Sequence, residues 1–249
     1  MSDEADFGFS RVALKDKQGR VDEVFKKVAP RYDLMNDLMS GGLHRIWKDI
    51  FARKVRQSKK TRFRHIDVAG GTGDVALRVA RAGSDLTEIV VADMNAAMLE
   101  EGRRRASNSR FEASLNFVEG NAEELPFCEC SFDAYTIAFG IRNVPRIDTA
   151  LAEAHRVLRR GGRFLCLEFS AVNVPLLDRL YEAYSFHIIP WLGRYVAGDE
   201  KPYRYLVESI ARFPDAESFC AKIGAAGFAQ AAFTRLSGGI VAIHSGWKV

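Results

Sequence analysis

HIDVAGGTGDVALRVA, residues 65–80, is the stretch that decides the fold. Ile66, Val68 and Ala69 are apolar and suit a buried strand. Gly70, Gly71 and Gly73 follow at once, and Asp74 is placed to cap the next helix. Ala76, Leu77, Val79 and Ala80 then recur at helical spacing. The pattern is strand, tight glycine turn, helix. Glycine lets the chain reverse and lets a ligand approach the backbone closely. The free N–H groups at the helix start favour an anion such as a phosphate or carboxylate.

Working outward, Gly71-Thr72-Gly73 with Ala76 satisfies the dinucleotide fingerprint G-x-G-x-x-G/A, so a nicotinamide cofactor fits this stretch. Asp67, just ahead of the glycines, suits instead a ligand with an ammonium group, which S-adenosylmethionine (SAM) has where NAD carries a pyrophosphate. EIVVAD, residues 88–93, is a second buried strand ending in Asp93. That carboxylate is placed to accept hydrogen bonds from ribose hydroxyls in either cofactor class.

From residue 65 strands and helices alternate, which predicts a doubly wound α/β fold on a mostly parallel seven-stranded sheet. The expected order is strand 65–69, helix 74–82, strand 88–93, helix 95–107, strand 115–119, strand 132–139, helix 146–158 and strand 163–169. Helix 214–225 and strands 228–236 and 239–247 finish the chain. Ser237-Gly238-Gly239 joins the last two as an antiparallel hairpin, an unusual ending for a dehydrogenase. One domain is expected over 1–249. It comprises an N-terminal helical extension (1–64), a SAM-binding core (65–170), an aromatic-rich helical insertion over the ligand crevice (171–213) and a terminal unit (214–249). Within the extension, RVDEVFKKVA (20–29) reads as an amphipathic helix with Val21, Val24, Phe25 and Val28 on one face, Met35, Leu38 and Met39 suggest a short helix stopped by Gly41-Gly42, and another helix runs through Leu43, Ile46, Trp47 and Ile50. Tyr32, Asp33, Asn36 and His44 crowd polar groups around a turn.

The chain has 249 residues, 47% hydrophobic and 27% charged, which is normal for a globular protein. No apolar run reaches the roughly 18 residues of a membrane span, and the acidic N-terminus does not resemble a signal peptide. Cys128 and Cys130 form C-x-C rather than a zinc pair, so no metal is expected and the four cysteines read as reduced thiols of a cytoplasmic protein. The net charge of +4 hides a basic stretch, RKVRQSKKTRFR at 53–64, which fits either a solvated face or an anionic surface.

Beyond the glycine stretch, AGGTGD, DMN, NAEELPF, FGIRNV, LEFS, YSFH and YRYL fall in order. Tyr32-Asp33, Met35-Asn36, Ser40, His44 and Trp47 precede them. Together these make the chain resemble, from about residue 8 to its end, the UbiE family of ubiquinone/menaquinone biosynthesis C-methyltransferases, class I SAM-dependent enzymes. Arg160, where the family usually has proline, and Ala138, where it often has serine, depart from the pattern. The resemblance implies SAM as cofactor and cofactor contacts at Thr72, Asp93, Asn121 and Ala122, with Ala138 following. Asp67, Gly71, Gly73 and Met94 complete the expected cofactor set. The implied substrate is a polyprenylated benzoquinol or demethylmenaquinol, methylated on ring carbon. Arg142 and Asn143 are the expected catalytic residues that orient the quinol oxygen, with His187 as a base. Tyr32, Tyr184 and Tyr195 are expected to pack on the ring. The expected partners are this quinol, weak peripheral contact with an anionic membrane at its inner face, other quinone-biosynthesis enzymes and a second copy in a homodimer. FGIRN in place of N/D-P-P-Y, and the lack of a Pro-Cys pair, argue against nucleic acid. Another small aromatic or RNA is the alternative substrate.

Overall fold

The computed structural model describes residues 4–28, 36–37, 40–171, 194 and 199–249, with the side chains of 26–28 outside that description. The chain opens with a hairpin of β1 (Glu4–Phe7) and β2 (Ser10–Ala13), then α1 (Leu14–Val28) and α2 (His44–Arg53). The alternating part follows: β3 (Phe63–Val68), α3 (Asp74–Ala82), β4 (Thr87–Asp93), α4 (Ala96–Ser107), β5 (Leu115–Glu119), β6 (Phe132–Ala138), α5 (Ile147–Val157) and β7 (Leu158–Phe169). After α6 (Lys201–Arg212) and α7 (Ala216–Ala225), β8 (Ala229–Leu236) and β9 (Val241–Trp247) end it.

The seven strands lie in the order β5-β4-β3-β6-β7-β9-β8. All neighbours from β5 to β7 are parallel, and β9 pairs antiparallel with both β7 and β8. The strand period of two divides the side chains between the faces. Ile89, Val91, Leu165 and Leu167 join Trp47, Phe51, Val79 and Leu99 on one face. Ile66, Val68, Tyr135, Ile137, Phe164 and Cys166 join Leu151 and Phe219 on the other. Covered on both faces, the central strands read as near-continuous apolar runs. Each fully buried large side chain contributes about 1.5–3 kcal/mol.

Three elements differ from the sequence reading. The N-terminal extension begins with a hairpin, not a helix. Helix α1 starts at Leu14 rather than residue 20. Strand β7 starts at Leu158 rather than 163 and runs through Gly161-Gly162, where the Gly161 N–H donates to Lys248 O (2.7 Å) and the Lys248 N–H to Gly162 O (3.0 Å). A glycine pair that reads as a break is absorbed as an irregular strand segment, with a register shift against β6. Most of the insertion, residues 172–193 and 195–198, lies outside the described residues.

The sheet order turns at β3: the chain moves outward to β5, then returns to β6. Such a switch point opens a crevice at the carboxyl ends of the strands. The basic stretch, by contrast, leads into the amino end of β3. Six residues at strand rise separate the two ends by about 20 Å.

Candidate active site

A cleft opens at the switch point. Its floor comes from the turns after β3, β4, β5 and β6, which contribute Ala69, Gly71, Met94, Asn95, Asn121, Ala122, Phe139 and Gly140. Two of these turns hold a non-glycine residue in the left-handed region, Ala69 (φ +49°) and Phe139 (φ +57°). Such backbone costs about 1–3 kcal/mol per residue and persists where surrounding structure enforces it. The two turns touch: a Cβ on Gly140 would sit 2.5 Å from the Ala69 Cβ.

Asp93, at the end of β4, organises the polar side. Its Oδ2 accepts the Gly71 N–H (2.9 Å) and its Oδ1 the Asn95 N–H (2.8 Å). Gly71 holds φ +55°, which turns its N–H to the carboxylate. Burial pushes the Asp93 carboxyl above its ordinary value against those N–H donors, and the nearby Asp22 charge pushes the same way. Asn95 caps α4 by accepting the Met98 N–H (3.1 Å), and its Nδ2 is buried without a partner. Asn121 Oδ1 accepts the Glu123 N–H (2.9 Å) and so shapes the turn after β5.

The far wall is α1, through Gln18, Val21, Asp22 and Phe25. Lys17, buried beside them, donates from Nζ to Val144 O (3.2 Å) and ties α1 to the turn after β6. The sequence places Val21 and Phe25 on the apolar face of this helix and gives no role to Gln18 or Asp22. The apolar face of α1 was legible, but the surface it covers was not. Helix α2 supports the same corner. Trp47 packs at 6.5 Å from Phe139 and donates from Nε1 to Ser237 Oγ (2.9 Å), and His44 Nε2 stands 2.9 Å from Asp37 Oδ1.

The expected site residues separate into groups. Gly71, Asp93, Met94, Asn121, Ala122, Ala138 and Asn143 line the cleft together. Asp67, Thr72 and Gly73 are not among its lining. Asp67 is buried below the glycine turn, where the Thr136 hydroxyl donates to its Oδ1 (2.6 Å), and burial pushes its carboxyl up to about 7. Thr136 Oγ1 also lies 2.7 Å from Nε2 of the buried His65. Thr72 faces Arg105 Nη1 at 3.4 Å. Gly73, rather than Asp74, is the N-cap of α3. The Asp74 carboxylate instead takes Lys48 Nζ (2.9 Å) and Arg78 Nε (3.0 Å).

Arg142 is not among the described residues that line the cleft. Its Nη1 donates to Glu168 Oε1 and to Phe139 O, both at 2.7 Å, and its Nε donates to Ser209 Oγ (3.3 Å). The Arg142 and Glu168 side chains are 4% and 0% exposed. A short 3₁₀ turn, Ile141–Asn143, sends neighbouring side chains in different directions: Arg142 inward to the ion pair, Asn143 to the cleft. His187, Tyr32, Tyr184 and Tyr195 lie outside the described residues.

The cleft suits SAM. Among its described lining are two acids, Asp22 and Asp93, and no lysine, arginine or histidine, which favours a cationic ligand. Asp93 would hold the ribose hydroxyls, the unpartnered Asn95 Nδ2 would donate to a ligand acceptor, and Met94, Met98 and Ala122 supply an apolar slot for the adenine.

Comparison with known proteins agrees. The chain is 63% identical over 244 residues, 98% of its length and 96% of the relative's, to the ubiquinone/menaquinone biosynthesis C-methyltransferase UbiE of Methylobacterium nodulans. Among solved structures it is similar to a SAM-dependent methyltransferase from Thermotoga maritima (TM-score 0.63, 19% identity, 92% of this chain and 100% of that one). It is also similar to phosphoethanolamine N-methyltransferase 2 of Haemonchus contortus in complex with SAM (TM-score 0.59, 13% identity, 82% of this chain and 52% of that one). At such identities these structures speak for the fold alone. With residues 12–248 matching that family's sequence model, the chain belongs to the ubiE/COQ5 methyltransferase family.

Proposed function

We propose that this protein is a SAM-dependent C-methyltransferase that methylates a ring carbon of a polyprenylated benzoquinol or demethylmenaquinol in ubiquinone/menaquinone biosynthesis. The near full-length identity to UbiE carries the reading, and the acid-lined cleft at the switch point supports it. SAM, when bound, supplies an electrophilic methyl group on a sulfonium centre.

The chain's own residues do the rest. Gly71, Asp93, Asn95, Asn121 and Ala122 hold the cofactor. Helix α1 and Phe139 wall the cleft and exclude water, which strengthens every electrostatic interaction inside. Ring carbon is nucleophilic only when the ring is electron-rich, so the acceptor hydroxyl must be oriented and relieved of its proton. Asn143 is the cleft residue that meets that oxygen. Arg142 serves at one remove, clamping the turn through Phe139 O and Glu168. His187 is the residue we assign as base, and Tyr32, Tyr184 and Tyr195 pack on the ring.

The enzyme works in the cytoplasm and visits the inner face of an anionic membrane to reach the quinol. No helix among the described residues is long and apolar enough to cross a membrane. The contact belongs at the cleft end of the sheet, where the quinol ring must enter; the basic stretch at 53–64 lies at the opposite end. Arg62 and Arg64 are also partly neutralised by Glu88. Quinone profiling by mass tests the function. A strain lacking this gene should accumulate demethylated quinones and regain the methylated ones on complementation; an unchanged profile refutes the assignment.

A further inference from the structure

We infer that Tyr205 is a positioning residue, which fixes the Asn143 carboxamide so that its amide N–H groups face the acceptor oxygen. The inference rests on the proposed quinol methylation and names a residue that acts on it from outside the cleft.

Tyr205 lies on α6 and does not line the cofactor cleft; Asn143 does. The two meet through one bond, the Tyr205 hydroxyl donating to Asn143 Oδ1 at 3.0 Å, in a buried setting. The Asn143 side chain makes no other hydrogen bond among the described residues. With Oδ1 occupied, the end left for the cleft is Nδ2, a donor. A carboxamide without this restraint can turn over and present its oxygen, which repels a phenolate. Burial keeps the Tyr205 hydroxyl protonated, with its pKa pushed up to about 12, and the nearby Arg142 charge opposes that rise. The hydroxyl is therefore a neutral donor at working pH.

Tyr205 is itself held. Phe7 of β1 stacks on its ring, centroids 4.3 Å apart and planes 23° from parallel. One turn further along α6, Glu208 Oε2 accepts the Phe9 N–H (3.0 Å). Ser209 accepts from Arg142. Helix α6 thus grips two consecutive residues of the turn after β6 from positions 205 and 209, which share a helix face. The N-terminal hairpin clamps α6 from behind.

The chemical consequence concerns the acceptor's ionisation. When the phenol O–H breaks, the electron pair stays on oxygen and the proton leaves to a base or water. Amide donors aimed at that oxygen stabilise the phenolate and lower the pKa of the bound quinol.

The test is Tyr205→Phe, which removes one oxygen and keeps the ring and its stack. Calorimetry gives SAM affinity, and turnover of a short-chain demethylquinol gives kcat and KM across pH. SAM affinity should stay at the parent value, which also reports that the variant is folded. At neutral pH kcat should fall about three- to tenfold, the usual worth of one neutral hydrogen bond. The acidic limb of the kcat profile, which reports the bound quinol, should move to higher pH by about half to one unit, the same energy read as a pKa. Phe7→Leu should move the limb the same way and less far. A parent-like profile overturns the inference, and so does a uniform loss with an unmoved limb. If the parent itself does not turn over the quinol, the proposed function has failed, and this inference with it.

Discussion

Arg142→Met separates a clamp from a catalytic group. In the native protein the guanidinium faces a carboxylate that is fully buried. Burial holds the Glu168 carboxyl above its ordinary value, and Arg142 is the strongest opposing influence. Without it, Glu168 keeps, among the described residues, only the N–H groups of Phe169 (2.9 Å) and of residue 142 itself (3.5 Å), and Phe139 O loses its donor. Breaking a buried pair from one side costs about 3–5 kcal/mol, because the remaining charge is uncompensated. For a chain of this size that is a Tm drop of about 6–20 °C. The pH dependence has a definite sign. A carboxyl whose folded pKa is raised contributes stability below its unfolded pKa and loses it as pH rises through the folded value. In Arg142→Met the folded pKa climbs further, so the deficit should be larger at pH 8 than at pH 5. Adding Glu168→Gln should recover much of it, since no charge is then left buried. The assay is urea unfolding at both pH values. A variant within about 1 kcal/mol of the parent at pH 8, well below the expected cost, or a deficit that does not shrink on acidification, refutes the clamp.

Asp93→Ala should weaken SAM binding about ten- to a hundredfold by calorimetry, the loss of charged hydrogen bonds; normal affinity in a folded variant removes Asp93 from the cofactor site. Gly140→Ala should destabilise by about 1–3 kcal/mol in denaturant titration, because its Cβ would press on Ala69; wild-type stability shows that the two turns do not abut. Asp67→Asn keeps the acceptor for Thr136 and abolishes an ionisation that burial has pushed up to about 7. Because the raised carboxyl loses its contribution as pH rises, the variant's Tm relative to the parent should improve from pH 5 to pH 8, and a worsening trend refutes the buried-acid reading. Replacing Arg53, Lys54, Arg56, Lys59 and Lys60 with glutamine should leave co-sedimentation with anionic vesicles unchanged; a clear loss places the membrane contact at the amino end of the sheet.

The sequence marks the central strands because each is apolar on both faces, and it marks the cofactor turns because glycine and aspartate stand at strand ends. It does not mark β1 and β2, where Ala5 and Val12 are the buried apolar residues in two four-residue strands. LKDKQG, the start of α1, hides for a related reason: its apolar content is low and Gly19 interrupts it. The reading of Arg142 shows a different limit. Position after a strand indicates which residues approach a crevice, whereas side-chain direction in a 3₁₀ turn depends on partners far away in sequence, here Glu168 and Ser209. The role of Tyr205 depends on two such separations at once, 62 residues to Asn143 and 198 to Phe7.

The clamp on Asn143 divides labour along the polypeptide. The residues assigned to hold the cofactor, from Gly71 to Ala122, come from one continuous central segment, with α1 adding only a wall. The groups that set the donor for the acceptor, Phe7 and Tyr205, come from the flanks on either side of that segment. Drift in the flanks can therefore retune which aromatic ring is accepted while the central segment goes on recognising the same cofactor. A chimera that keeps residues 63–139 and exchanges the flanks for those of a relative with another acceptor should inherit the donor's acceptor preference.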